Sequence, residues 1–251
     1  MTAVRGTVVD IPTEDGTTDA CLTLPGDDGP RPAVLFFMDA FGLRPQLTSM
    51  ADRPAEAGYA VLVPNVFCRH GRAPVVGLPD FIDAEARGGL LRQIMPMGQA
   101  LTPELAMRDA GAYLRWLAEL PEVADGPVAV TGYCFGARLA LLTAGTYPER
   151  VAAAAGFHGA QPATETPDSP HLLADRITAE VYFGHADQDP SMPPEQVRRL
   201  EDALTSAGVR HRCEVYPHAT HGFTQADTAS YHAEGDKRHW AALLDLLERT
   251  F

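Results

Sequence analysis

Short runs of apolar side chains, set between segments of helical periodicity, constrain this chain more than any other feature. Residues 33–38 (AVLFFM) carry no polar side chain, and residues 60–63 (AVLV), closed by Pro64, are similar. A strand without a polar face is buried on both sides, as in a parallel sheet covered by helices. Residues 127–131, 180–184 and 210–216 read as further strands. So does 151–157 (VAAAAGF), which lies between Pro148 and Gly159. Residues 5–10 and 18–24 flank the turn-rich Thr13–Thr17 and read as an edge hairpin.

Helical patterns fill the intervals. Thr102 can cap a helix with Pro103 at its first position, and Met107, Ala110, Leu114 and Leu117 follow at helical spacing. A second helix follows Cys134. A third starts near Pro193–Glu195 and ends at Gly208, and a fourth begins at about Asp236 and buries Trp240, Leu243 and Leu247. Segment 69–100, rich in Gly, Pro and Met, reads as a lid or pocket wall. The alternation predicts an α/β protein with a mainly parallel central sheet and helices on both faces, as one domain over residues 1–251. Such sheets bind ligands at the carboxyl ends of their strands.

Charge narrows the partners. Twenty Lys and Arg against 33 Asp and Glu leave a net charge of −13. That field repels phosphate backbones and anionic membranes, so neither nucleic acid nor membrane is an expected partner. No apolar run approaches the ~18 residues of a transmembrane helix, and MTAVRGTVVDIPTEDG has no signal-peptide core. The four cysteines are far apart, with no C-x-x-C pair, which suggests neither a zinc site nor a disulfide framework. A cytoplasmic protein with no metal and no cofactor is expected, and a monomer is the default.

The residues after the strands carry the chemistry. Gly132-Tyr133-Cys134-Phe135-Gly136 follows the 127–131 strand and opens an apolar helix. This is the G-x-nucleophile-x-G elbow in its required context, where a sharp turn lifts the nucleophile above the sheet. A helix N-terminus favours the thiolate, which is the reactive form. A thiol nucleophile needs a base, and the base needs an orienting acid, here in the order nucleophile, acid, histidine. Asp187 and Asp189 both follow the 180–184 strand. Asp187, three residues past Gly184, is preferred on turn position. His221 follows the 210–216 strand and precedes Gly222, which lets its loop bend over the site; His218 reads as a surface or supporting residue.

These motifs resemble the dienelactone hydrolase family of the α/β-hydrolase superfamily, over about Arg31 to Phe251. The elbow is similar to the family's G-Y-C-x-G, and His221-Gly222-Phe223 to its H-[GS]-F. Met38-Asp39-Ala40-Phe41-Gly42-Leu43 is similar to its E-x-[FW]-G-[LV] loop, and Asn65-Val66-Phe67-Cys68-Arg69 to its D-L-[FY]-x-R. The resemblance implies a carboxylic ester hydrolase acting on a small-molecule lactone or ester through an acyl-enzyme. Cys134 would attack, His221 would carry protons and Asp187 would orient it. Asp39 would gate the thiol, although it is one methylene shorter than the family's glutamate. The backbone N–H groups of Phe135 and Ala40 would form the oxyanion hole, and Arg69 would meet a substrate carboxylate. The competing reading is a non-catalytic scaffold of the same fold that binds a small ligand or a protein.

Overall fold

Among the described residues, eight strands form one sheet in the computed structural model, which covers residues 3–251. Met1 and Thr2, the start of the predicted domain and of the stretch read for a signal peptide, lie outside the described residues. The strands are β1 Val4–Thr13, β2 Gly16–Pro25, β3 Ala33–Phe37, β4 Ala60–Pro64, β5 Val128–Tyr133, β6 Val151–Phe157, β7 Glu180–Gln188 and β8 His211–Thr220. Their spatial order is β1-β2-β4-β3-β5-β6-β7-β8. Strands β3 to β8 pair in parallel, and β2 runs antiparallel to both β1 and β4. Every residue of β3, β4 and β5 is buried, as expected of parallel strands covered by helices on both faces.

The chain winds outward from β3 to β4, then returns to place β5 on the other side of β3. That reversal is the switch point at which open α/β sheets leave a crevice at their carboxyl edge. The loop carrying Asp39 and Ala40 follows β3, and Cys134 follows β5, so both open into this crevice.

Six helices are present among the described residues: α1 Pro45–Glu56, α2 Ala84–Ala100, α3 Pro103–Ala118, α4 Phe135–Thr146, α5 Pro194–Ser206 and α6 Ala233–Thr250. The predicted cap of α3 forms, with the Leu105 N–H donating to Thr102 Oγ1 at 3.3 Å. Gly208 ends α5 with φ +70°. Helices α1 and α2 lie outside the sequence expectation. Leu47, Met50, Ala51, Pro54 and Ala55 give α1 a buried face at helical spacing, with Pro54 inside the helix, while Gly88, Gly89 and Pro96 depress the propensity of α2. Tertiary packing overrides that bias: Asp83 caps α2 by accepting from the Ala86 N–H at 2.8 Å, and Leu90 and Ile94 turn inward.

Strands β7 and β8 each continue four residues beyond the sequence expectation, to Gln188 and Thr220. The difference matters, because it moves the carboxyl edge along the chain and changes which residues stand on it.

The turn after β5 is tight. Cys134 is held at φ 53°, ψ −114°, a backbone region that L-residues rarely occupy. Gly132 and Gly136, two residues to either side, let the chain pack this closely. A Cβ on Gly132 would enter the Gly136 carbonyl, and one on Gly136 would enter the Phe37 and Met38 carbonyls of the adjoining strand. The obstacles are backbone atoms, which no rotamer change can move. Gly136→Ala should therefore destabilise the fold by about 1–3 kcal/mol. Urea unfolding measures this, and an unchanged midpoint would show that the elbow is not packed as described.

Candidate active site

Cys134, His221 and Asp189 form one hydrogen-bonded chain. His221 Nε2 lies 2.9 Å from Cys134 Sγ, and His221 Nδ1 lies 2.7 Å from Asp189 Oδ2. The Asp189 side chain is fully buried and that of His221 is 12 % exposed. The second Asp189 oxygen accepts from the Ser191 N–H at 2.8 Å, which fixes the carboxylate in its turn.

The acid preferred from sequence is corrected by this geometry. Asp187 is exposed and accepts from the His218 backbone N–H at 2.8 Å. The reason is the length of β7. Counting from Gly184 selects Asp187, but the strand runs on through Gln188, with an irregularity between Ala186 and Gln188. The first carboxylate past its end is Asp189. His221 likewise stands directly past the end of the extended β8, and Gly222, at φ +94°, turns the chain back over the crevice.

Electrostatics follow from this arrangement. Burial alone would push the His221 imidazole down. The neighbouring Cys134 sulfur and the Asp189 carboxylate, each within hydrogen-bond distance of the ring, outweigh burial, and the His221 pKa is raised to about 10. The imidazole is therefore held protonated at neutral pH. His158, at the end of β6, lies beside it with ring centroids 5.4 Å apart. Burial, reinforced by the neighbouring His221 charge, holds His158 well below the usual histidine range, so it stays neutral. Its Nε2 pairs with Thr224 Oγ1 at 2.8 Å. Below the elbow, the Tyr133 hydroxyl meets His239 Nε2 at 2.7 Å within the core.

The expected oxyanion-hole groups face the same crevice. Ala40, Cys134 and Phe135 all line one cavity of about 450 Å³. Phe135 is the first residue of α4, so its N–H has no acceptor within the helix. Among the described residues, the Ala40 N–H meets no backbone acceptor.

Asp39 also lines this cavity, but its contacts differ from those of a gate. Oδ1 accepts from the Phe41 N–H at 2.9 Å and from Arg44 Nη1 at 2.7 Å, and Oδ2 accepts from Arg44 Nη2 at 2.9 Å. Arg44 then donates from Nε to Asp227 Oδ2 at 2.6 Å and from Nη2 to Gln225 Oε1 at 3.1 Å. Burial opposes the Arg44 charge, and Asp39 and Asp227 outweigh it, holding the guanidinium above its ordinary pKa. Both Asp39 oxygens are thus occupied, and the partner of Cys134 Sγ is His221. Asp39 holds the loop that carries Ala40, and through Arg44 it ties that loop to the one that follows His221.

Arg69 is the other correction. It donates to Asp109 at 2.6 and 2.9 Å and to Asp15 at 2.7 and 3.0 Å, and it lies outside the cavity lining. These ion pairs tie the turn after β4 to α3 and to the β1–β2 turn. Arg138 lines the cavity but pairs with Asp168 at 3.2 Å. Among the described residues, Arg87 of α2 is a lining cation without an ion-pair partner. Its guanidinium stands 5.7 Å from the Phe41 ring centroid. Sequence reasoning missed Arg87, Arg44, Gln225 and Asp227, since no motif marks them. It did place a wall in segment 69–100, and α2 forms that wall through Arg87, Leu91, Ile94, Met95 and Gly98.

Among the described residues, no cluster of His, Cys, Asp or Glu is arranged to hold a metal ion, and no helix is long and apolar enough to cross a membrane. The arrangement that is present can deliver an activated sulfur to a carbonyl carbon, hold the resulting oxyanion on two N–H groups and transfer a proton through His221.

The chain is similar to known proteins in both sequence and structure. A family model described as the dienelactone hydrolase family matches residues 18–251. A Synechocystis protein named "Putative carboxymethylenebutenolidase" is 27 % identical over 248 residues, covering 98 % of this chain and 97 % of its own. A carboxymethylenebutenolidase of Rhodococcus opacus is 28 % identical over 227 residues, covering 89 % of this chain and 83 % of its own. The crystal structure of a dienelactone hydrolase-like promiscuous phosphotriesterase from metagenomic libraries superposes with a TM-score of 0.81 at 27 % identity, covering 99 % of each chain.

The Asp189 contact yields a direct test on the imidazole. Asp189→Asn removes a charge that favours the imidazolium, and should lower the pH at which His221 loses its proton by at least about one unit, followed by nitrogen-15 NMR. Asp187→Asn, at an exposed position, should leave that pH within about 0.3 unit of wild type. The opposite ranking would return the orienting role to Asp187.

Proposed function

The chain belongs to the dienelactone hydrolase family and is a carboxylic ester hydrolase; from that premise we propose that it opens a lactone or ester through a covalent Cys134 acyl-enzyme. The observation that carries this reading is the unbroken Asp189–His221–Cys134 hydrogen-bond chain at the mouth of the cavity.

The Cys134 sulfur attacks the carbonyl carbon, and the carbonyl π electrons move onto oxygen. The N–H groups of Ala40 and Phe135 receive that oxyanion, and one such donor is typically worth ~2.7–4 kcal/mol in the transition state. As the tetrahedral species collapses, the C–O bond breaks and His221 Nε2 gives its proton to the departing alkoxide. In a lactone that alcohol stays tethered to the acyl group. Water then attacks the thioester, and His221 takes its proton. The carboxylic acid leaves, and the sulfur anion and imidazolium are restored. Asp189 holds Nδ1–H throughout, so the ring presents Nε2 to the sulfur and to the leaving oxygen in turn.

A substrate carboxylate, in this reading, meets Arg87. That residue stands beside the His221 loop: a Cβ on Gly222 would lie 3.7 Å from Arg87 Nη1. The leaving group must face His221 to be protonated, so an anionic substituent on the leaving side falls near Arg87.

The test follows ultraviolet loss of a dienelactone, with p-nitrophenyl acetate alongside. Cys134→Ala should lose at least about 10⁴-fold in kcat for both, the scale seen when a triad nucleophile is removed. A transient mass increase of one acetyl group on wild-type Cys134 identifies the intermediate. Arg87→Gln should raise KM for the lactone about tenfold relative to the ester, consistent with the loss of one charge-assisted hydrogen bond. Turnover of acetate alone would retain the mechanism and discard the lactone. Turnover that survives Cys134→Ala would end the reading.

A further inference from the structure

The cavity continues well past the nucleophile, and its far end has a different character from the end at His221. One wall is α2, which presents Arg87, Leu91, Ile94, Met95 and Gly98 at successive turns. Arg87 and Gly98 are separated by eleven residues of helix, about 16 Å along its axis. Beyond Arg87 the lining is mostly apolar. Leu91 and Ile94 line it together with Phe135, Leu139 and Leu142 of α4 and Ala106 of α3. Two of the polar groups at this end are already engaged, since Thr102 Oγ1 caps α3 and Arg138 is paired with Asp168, and a third, Gln99, is exposed.

The direction of the lobe follows from proton transfer. The leaving oxygen must face His221, which stands at the Arg87 end. The acyl substituent points the other way. Phe135 supplies both an oxyanion N–H and, with its ring, part of the lobe, so the lobe opens beside the carbonyl under attack. A small anionic lactone would leave this space unfilled and offer nothing to its hydrocarbon surface. At about 450 Å³ the cavity as a whole falls within the range that holds drug-sized ligands.

We propose that the lobe between α2, α3 and α4 binds a hydrophobic acyl chain, so that the preferred substrates are esters of medium-chain or arylalkyl carboxylic acids. The assignment rests on Cys134 acting as the acylated nucleophile. It gives Gly98 a specific part. A Cβ there would lie 3.7 Å from the Phe135 ring, in ordinary contact, so a longer side chain enters the lobe without disturbing backbone.

The experiment measures kcat/KM for p-nitrophenyl esters from acetate to octanoate, with the mass of the acyl-enzyme recorded for each. The expected result is a rise of about fourfold per methylene, the ~0.8 kcal/mol of one buried CH₂, and at least about a hundredfold between acetate and hexanoate. Gly98→Leu and Gly98→Met replace glycine in a helix interior and should fold at least as well as wild type, which a thermal melt confirms. Both should cut the hexanoate-to-acetate ratio at least tenfold. If acetate acylates Cys134 but the series is flat or falling, the lobe assignment is overturned and the hydrolase reading stands. A rising series that both Gly98 variants leave unchanged places the chain elsewhere and also overturns it. If no ester acylates Cys134, the hydrolase reading falls and the lobe assignment falls with it.

Discussion

The close packing of Gly132 and Gly136 against backbone is the constraint on which the site depends. It forces Cys134 into a strained turn at the end of β5 and at the start of α4. Everything else about Cys134 follows from that position. The sulfur projects above the sheet at the switch point, where the adjoining β3 loop offers the Ala40 N–H. The ends of β7 and β8 then bring Asp189 and His221 to the same edge. Strain of this kind persists only where the surroundings over-determine it. Here the Cys134 N–H donates to the Phe157 carbonyl at 3.0 Å, and the Cys134 carbonyl accepts from the Ala160 N–H at 3.0 Å.

A second node acts on the loops. Arg44 is buried, with its guanidinium donating to Asp39, Asp227, Gln225 and the Gly42 carbonyl. An isolated charge could not be kept there, because desolvation would exceed any single attraction. The cluster is sustained by multiple short contacts from two segments, the loop after β3 and the loop after His221. It therefore couples the loop that carries Ala40 to the loop that follows His221, although neither is part of a regular element. Asp39 belongs to this scaffold, and its side chain has no free oxygen to offer the thiol.

How much of this could be read from residues alone depended on the range of the interaction. The elbow was legible because its requirements are local: two glycines, a nucleophile, a strand before and a helix after. His221 was legible for the same reason, through Gly222 and the strand preceding it. The acid was not, because the choice between Asp187 and Asp189 turns on where β7 stops. The sequence HADQD offers no hydrophobic alternation to mark that point. Helix α2 escaped notice because Gly88, Gly89 and Pro96 oppose helix formation locally, while Leu90 and Ile94 reward it only once the core exists. Arginines were least legible of all. Arg69, Arg44 and Arg87 look alike in sequence, yet one ties the β1–β2 turn to α3, one clamps two loops and one faces the cavity. Their partners, among them Asp15, Asp109 and Asp227, are distant along the chain.

The central claim is that the Cys134 sulfur and the Asp189 carboxylate together hold His221 protonated at neutral pH. Nitrogen-15 NMR of the imidazole side chains measures this directly. The account predicts that both His221 nitrogens remain protonated from pH 6 through pH 8 and lose a proton only near 10, the raised value that the sulfur and the carboxylate impose. Replacing Cys134 by alanine should move that titration to lower pH, since the raising influence of the sulfur on the ring is then gone. A neutral His221 at pH 7, titrating near the ordinary ~6.5 of histidine with or without Cys134, would contradict it.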